Sequence, residues 1–505
     1  MISRPPESRK WGAAALVAAL TVGAFLVRLA LLLESPEPPG TDGYYYVVQV
    51  QHWLTEGRFH VRDASWVLRV MALGSAAVGG PVMGLKVVSA LLAALCVPAA
   101  WFAGRALGRA GQETADAPGA LGLAAWAAAS PTLTHLAGDF PKTLGAVPPL
   151  LLVLAWGVSG RRGWGALLGG MGAVMLAATA HRLGASLLGL GAVGAVLGLV
   201  LRGRGGSPER KWPLVLVGVV CVASFALLTT VLPNLLHPKD LERVSSQLDL
   251  SPGAPPPFPY FALRHTQVIQ QVELGVSWLG LACGGVLLWR RRELRPLVMG
   301  LVLPLVVCLF PLWRRDVLDL GYRTSLLAPL LAAPLVLLAL PSARAGLQLR
   351  LWAVALVTLA LVPLARFGFD PAATPPYGRY RALIARVPQP PPELLIAHQG
   401  INFLYDHVTG REAMAWAPEP ALDRTRIGRL VWGVRDGEWM TYAPEQEGLP
   451  APIRLDRDYV YVREDVFEAF LARARAEGDE ELLERLADWH NPSAVRPASL
   501  LRNRD

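Results

Sequence analysis

Acids, bases and phenols stand where long apolar runs end, and their types suit proton transfer and anion binding. Asp42 opens the stretch TDGYYYVVQVQHWLTEG, which also carries Tyr44, Tyr45, Tyr46 and His52. His135, Asp139 and Lys142 share HLAGDFPK, His181 and Arg182 lie in TAHRLG, and Arg323 stands in DLGYRTSLLAPLL. A further segment carries His237, Lys239, Asp240, Arg264 and His265, and another Arg314, Arg315 and Asp316. With His60 three residues beyond the first stretch, six of the nine histidines fall in or beside these segments, so the titratable groups gather rather than scatter. Arginine suits a phosphate because its planar fork donates two parallel hydrogen bonds. A carboxylate close to a hydroxyl acceptor can act as general base.

Each of these residues also has a plainer reading. Thr41 or Asp42 suits the N-cap of a helix. The tyrosines suit an aromatic belt at headgroup depth on an amphipathic interfacial helix. Asp139 suits a solvated loop, and His181 with Arg182 suits snorkelling to headgroups. Arg314 and Arg315 suit anionic lipid.

The elements that must position these residues are membrane helices. The chain is 53% apolar and 17% charged, where ordinary globular domains are about 25% charged. A bilayer-spanning helix needs about 20 apolar residues. Such runs are predicted at 11–33, 82–104, 118–136, 141–159, 164–180, 183–201, 212–235, 273–289, 296–313, 323–340 and 349–366, with an interfacial or re-entrant segment at 65–79. That makes an all-α polytopic membrane domain of about eleven transmembrane helices.

Arginine-rich flanks fall on alternate ends of these runs, among them Arg105 and Arg109, Arg161 and Arg162, Arg290 to Arg292, and Arg344. Positive residues mark the cytoplasmic side. The expected topology therefore has the N-terminus inside a cytoplasmic (inner) membrane, an uncleaved N-terminal anchor and the C-terminal domain outside. The net charge of +9 then calls for no nucleic-acid partner.

Cys96, Cys221, Cys283 and Cys308 all lie in apolar runs without metal-ligand spacing. They read as small buried groups. Gly165 with Gly169, and Gly194 with Gly198, have the spacing that lets helices approach closely.

The membrane domain is expected over 1–366, with its first outer loop at 34–81, followed by a proline-rich linker over 367–392. A small α/β extracytoplasmic domain is expected over 393–505. Within it ELLIAH and DYVYVR read as strands, and QGINFLYDHVTG as a helix closed by Gly410. Two acid-led helices follow on either side of Gly478. Asp406 and His407 read as the end of a surface helix, where a histidine suits the dipole.

This arrangement resembles the GT-C superfamily of integral-membrane glycosyltransferases, which includes the protein O-mannosyltransferases and the aminoarabinose transferase of lipid A. The matching features are the loop-one acid with aromatics in TDGYYYVVQVQHWLTEG, the second acid in GDFPKT, the His/Arg pair in AHRLG and the arginine entering a late span in DLGYRTSLLAPLL. A soluble outer domain completes the pattern.

The resemblance implies that a sugar moves from a polyprenyl-phosphate donor in the bilayer to an extracytoplasmic acceptor, which is a protein, lipid or glycan, by inverting direct displacement. Asp42 matches the general base. Asp139 matches a second acid, which binds a divalent metal in some branches and orients substrate in others. Lys142, His181, Arg182 and Arg323 match positions that meet the lipid phosphate. Tyr44, Tyr45 and His52 stand where acceptor or sugar contacts are expected. No metal or other cofactor is fixed by these residues. The rival classes are a transporter or lipid flippase, and a non-catalytic membrane scaffold. No matched pair of broken helices supports the transporter.

Overall fold

The computed structural model describes residues 7–40, 42–60, 63–110, 118–160, 163–202, 268–309, 320–339, 377–378, 381, 393–398, 401–410, 414–416, 453–456 and 459–463, with isolated positions at 472, 475–476 and 478. Two units are each compact. One comprises Met1–Pro36 and Ala64–Pro371, and the other Glu37–Asp63 and Ala372–Asp505.

The first unit is helical throughout its described residues. It contains α1 (Glu7–Leu33), α3 (Trp66–Val78), α4 (Pro81–Ala110), α5 (Pro118–Ala129), α6 (Pro131–Asp139), α7 (Pro141–Ser159), α8 (Trp164–Ala180) and α9 (Arg182–Arg202). It continues with α10 (Val268–Arg290), α11 (Arg295–Leu309), α12 (Leu320–Ser325) and α13 (Ala328–Ala339). Among the described residues four helices are long and apolar enough to cross a membrane: Gly12–Leu33, Pro81–Ala110, Pro141–Ser159 and Arg182–Arg202. A helix answers a bilayer because it satisfies every backbone donor and acceptor internally. Shorter apolar helices cover most of the other expected spans. The runs at 212–235 and 349–366 lie outside the described residues, as do Cys221 and the polar segments around His237, His265 and Arg314.

The run expected as a single span over 118–136 is two helices. Ser130 separates α5 from α6, because Pro131 has no N–H for the next turn and its ring crowds the preceding one. Pro131 is instead at the first position of α6, and the Ser130 side chain accepts from Leu133 N at 3.2 Å as N-cap. The segment at 65–79 is α3. It is fastened to the end of α8 by Ser65 Oγ donating to Ala180 O at 2.7 Å and Trp66 Nε1 donating to Leu176 O at 2.8 Å.

Small residues let α7, α8 and α9 pack, with Val153, Val174, Ala177, Ala185, Leu188 and Ala192 in one buried cluster. The two glycine pairs behave differently. A Cβ on Gly194 would lie 2.2 Å from Met299 O, and one on Gly198 would lie 2.4 Å from Arg295 O, so α9 and α11 meet backbone to backbone. A Cβ on Gly165 or Gly169 would meet nothing within 4 Å among the described residues. The expectation that Gly165 and Gly169 mark a helix contact is therefore corrected, because their spacing is shared but no described neighbour stands against them.

The second unit pairs a loop helix with a sheet. Helix α2 (Gly43–Glu56) ends at Gly57, whose φ of 71 is a left-handed conformation suited to glycine. The sheet has strands β1 (Glu393–His398), β2 (Met414–Trp416), β3 (Ile453–Asp456) and β4 (Tyr459–Arg463), in the order β2-β1-β4-β3. β1 and β2 are parallel, joined by helix α14 (Ile401–Thr409) as a βαβ unit. β4 runs antiparallel to both β1 and β3, with Leu395 opposite Tyr461. Gly410, at φ 68, closes α14 as expected. Most of the two acid-led helices expected around Gly478 lies outside the described residues.

Candidate functional site

Within the membrane unit the candidate residues meet around 139–143. Asp139 is the last residue of α6, and Lys142 lies in the first turn of α7. His135, one helical turn before Asp139, faces its carboxylate with Nε2 at 3.2 Å from Oδ2. The Arg323 guanidinium lies 4.6 Å from the centroid of the Phe140 ring, a cation–π contact. His181 breaks α8 from α9 and brings its Nδ1 to 3.4 Å from Thr143 Oγ1. Arg182 is the first residue of α9. Two segments far away in the chain thus deliver an imidazole and an arginine onto the five-residue stretch that carries Asp139.

A buried polar network positions that stretch. In an unbroken helix the Ala127 carbonyl would accept from the N–H of residue 131, and Pro131 has none. Arg28 fills that place: Nη2 donates to Ala127 O at 3.1 Å and to Ser130 O at 3.3 Å, and Nε donates to Thr134 Oγ1 at 3.1 Å. The helix break also leaves the Thr132 N–H without its intrahelical acceptor. Glu273 Oε2 accepts it at 2.9 Å, while Oε1 accepts from Ser130 Oγ at 2.6 Å and Trp126 Nε1 at 2.9 Å. Arg28 is 2% exposed and Glu273 6%. Both charges sit in apolar helices, where sequence reasoning passed over them. The available signal was an arginine within the first span together with a Ser-Pro step in a later one.

In the second unit, Asp42 is the N-cap residue of α2, yet its side chain makes no capping hydrogen bond. Its carbonyl accepts from Tyr46 N at 3.2 Å. Tyr44 and Tyr46 are buried, and protein groups surround Tyr44. Its ring is 4.8 Å from that of Tyr377 and 5.2 Å from that of His407. Tyr45 stacks edge-on to Phe403 at 5.3 Å and donates to Asp63 Oδ2 at 3.1 Å. The reading of these rings as a headgroup belt is therefore corrected: α14, Tyr377 and Arg381 occupy the faces a belt would present.

Glu37 organises the start of the loop. Arg381 grips it in a fork, Nε to Oε1 and Nη2 to Oε2, each at 3.0 Å, and the Tyr44 hydroxyl donates to the same carboxylate. Burial pushes the Glu37 carboxyl up, but the hydrogen bonds from Arg381 and Tyr44 outweigh it and hold it below the usual range. Burial, with Glu37 adding, pushes the Tyr44 phenol above its ordinary value. Tyr377 donates to Gly40 O at 2.9 Å. Both Tyr377 and Arg381 lie in the stretch read as a linker.

His52, His60 and Asp406 form the remaining polar group. The two imidazoles are 4.6 Å apart. The Asp406 carboxylate holds His52 above its ordinary pKa, whereas burial pushes His60 down to about 4. His407 Nδ1 is 3.0 Å from Gln51 Oε1. The reading of Asp406 and His407 as the end of a surface helix is corrected. Asp406 is 7% exposed and faces the histidines at the end of α2.

The resemblance leaves room for a metal at the second acid, and the donor set there can be tested. His135 and Asp139 supply two ligand atoms, and among the described residues no third His, Cys, Asp or Glu joins them. The described surroundings of Asp139 do not make a metal site.

The described residues make a polytopic helical membrane fold. No protein-family model matches the sequence, and no curated protein matches it. The chain is similar to ArnT from Cupriavidus metallidurans bound to undecaprenyl phosphate, with a TM-score of 0.54 and 15% identity over 89% of this chain and 98% of that one. It also matches the archaeal oligosaccharyltransferase AglB from Archaeoglobus fulgidus, in complex with an inhibitory peptide and a dolichol-phosphate. There the TM-score is 0.41 and the identity 14%, over 80% of this chain and 64% of that one. ArnT in the apo state gives a TM-score of 0.38 at 14% identity, over 89% of this chain and 98% of that one.

Proposed function

We propose that this chain is a membrane glycosyltransferase that moves a sugar from a polyprenyl-phosphate donor to an acceptor outside the cytoplasm. The observation that carries this reading is the convergence of Asp139, Arg323 and His181 on residues 139–143, in a fold shared with a protein bound to undecaprenyl phosphate. An anionic lipid head needs positive groups, and Arg323, Lys142 and Arg182 are the ones assigned to it. The starts of α7 and α9 add the positive ends of two helix dipoles.

Asp42 is the general base. It stands at the head of α2 and makes no capping hydrogen bond there. It takes the proton of the acceptor hydroxyl or amine as that atom attacks the anomeric carbon. The bond from the anomeric carbon to the phosphate oxygen breaks, and the lipid phosphate leaves with the electron pair, its charge held by Arg323 and its neighbours. Stabilising charge where it develops is usually the largest catalytic contribution. A single displacement inverts the anomeric centre. Asp139, fixed by His135, orients the reacting groups.

The test is turnover of labelled polyprenyl-phosphate sugars by purified protein in lipid. Asp42→Asn is expected to cut turnover by about 10²–10⁴-fold while leaving donor binding intact. Arg323→Gln is expected to weaken donor binding by about 10–100-fold, the worth of a charge-assisted hydrogen bond. Full turnover by Asp42→Asn would remove the base, and a wild-type protein that binds no polyprenyl phosphate would remove the enzyme class.

A further inference from the structure

We propose that His52, His60 and Asp406 are the ligands of a divalent transition-metal site of the zinc class, which fastens the end of α2 to α14. The proposal is independent of the glycosyltransferase reading.

Its geometry rests on three side chains from two separate parts of the chain. His52 lies in the last turns of α2. The left-handed Gly57 then reverses the chain, so that His60 returns beside His52, eight positions on. Asp406 comes from α14. His52 Nε2 and His60 Nε2 each stand 3.8 Å from Asp406 Oδ2, and all three ligand atoms lie within 4.8 Å of one another. At 3.8 Å neither nitrogen is hydrogen-bonded to that oxygen. Donors about 2.1 Å from a tetrahedral metal stand about 3.4 Å apart. A closure of about 0.4 Å at each His–Asp distance, and of at most about 1.4 Å between the two imidazole nitrogens, therefore brings these atoms onto one ion.

Two further features point to a metal rather than to a simple ion pair. Asp406 Oδ2 is buried and accepts no hydrogen bond among the described residues. A buried carboxylate oxygen left so is costly, and a bound cation removes the cost. The second feature is Glu56, whose Oε1 is 2.8 Å from His52 Nδ1. A metal-binding histidine commonly donates its other ring N–H to a carboxylate, which sets the tautomer and points the lone pair at the ion. Here Glu56 accepts a hydrogen bond from Nδ1–H, which leaves Nε2 as the ligand atom. Two imidazoles, one carboxylate and no thiolate suit zinc among the metals that imidazole favours. Three protein ligands leave a fourth position for water, and the partly exposed side of His52 admits it.

The experiment uses the full-length, tag-free chain in detergent, stripped with a chelator and then titrated with zinc or cobalt. Wild type is expected to take up one equivalent per chain at micromolar free metal. Cobalt should give the visible ligand-field spectrum of a four-coordinate nitrogen–oxygen site, and zinc should raise the melting temperature. His60→Ala and Asp406→Asn should lose the equivalent, the spectrum and the thermal shift. Glu56→Gln should fold normally, because Glu56 is a solvent-facing residue, and weaken zinc by about 10–100-fold. If the buried variants fail to fold, the Glu56→Gln affinity decides alone. Metal taken up equally by wild type and by Glu56→Gln, or no stoichiometric uptake by wild type, overturns the site.

Discussion

Charged side chains work differently in the two units. In the helical unit, Arg28 and Glu273 serve backbone groups: one fills the Ala127 carbonyl that Pro131 leaves open, and the other takes the Thr132 N–H. In the unit that holds α2, charges and polar groups serve one another, as in Glu37 with Arg381 and Tyr44. The physical difference is the solvent. At membrane depth an unsatisfied backbone group has no water to turn to, so a helix break must be matched by a specific partner. Near water a lost ion-pair partner is partly replaced by hydration, so the pair positions surfaces more than it stabilises them.

This contrast can be broken or sharpened by substitution. The largest effect is expected from Arg28→Ala, which leaves the buried Ala127 carbonyl and the acceptor side of the Thr134 hydroxyl without their donor. About 1–3 kcal/mol is expected for each group left unsatisfied, read as a drop in thermal stability in detergent, with only part of it recovered by Arg28→Lys. A melting temperature unchanged by Arg28→Ala would remove the network from the account of the helix break.

Gly198→Val comes next, because a side chain there meets the Arg295 carbonyl and Pro296 backbone of α11, which cannot step aside. Overpacking of this kind costs about 1–3 kcal/mol, whereas Gly165→Ala, with open space around it, should stay within about 1 kcal/mol of wild type. Equal losses at the two glycines would place a partner against α8 after all.

The smallest effect is expected from Glu37→Gln, about 1 kcal/mol or less after solvent screening. Its pH dependence has a definite sign. The folded carboxyl lies below its ordinary value of 4.5, so the unfolded chain binds the proton first as pH falls. The stabilisation is complete above that ordinary value and is lost as pH drops through the lower folded one. The difference in melting temperature between wild type and Glu37→Gln should be flat at neutral pH and shrink in acid. A difference that grows in acid would reverse the assignment.

Some of the candidate site was legible in residue types alone. Acids and bases at the ends of apolar runs pointed to residues 139–142, to 181–182 and to Arg323, because an ionisable group at such a place is costly and seldom idle. The partners were not legible. Asp139 and His135 are one turn apart, a spacing the sequence does show, but the Phe140 ring under Arg323 depends on how α12 meets α6. Asp406 looked like a surface residue because α14, taken alone, offers no sign of what covers it. Strands β2 and β3 escaped notice because three or four residues are too few to show alternation.

By itself the sequence determined local elements: apolar runs long enough for membrane helices, the Gly410 helix end and the strands ELLIAH and DYVYVR, and equally local chemistry sets the Gly57 helix end and the Pro131 break, which the expectation of one span over 118–136 passed over. These follow from periodicity, from proline's missing N–H and from glycine's tolerance of positive φ, which are properties of a few neighbouring residues. Only the tertiary structure decided which charge answers which group. Arg28 reaches a carbonyl 99 positions away, Glu273 an N–H 141 away, and Tyr377 a carbonyl 337 away. Such pairings depend on how whole helices pack, and no local pattern in the chain records them.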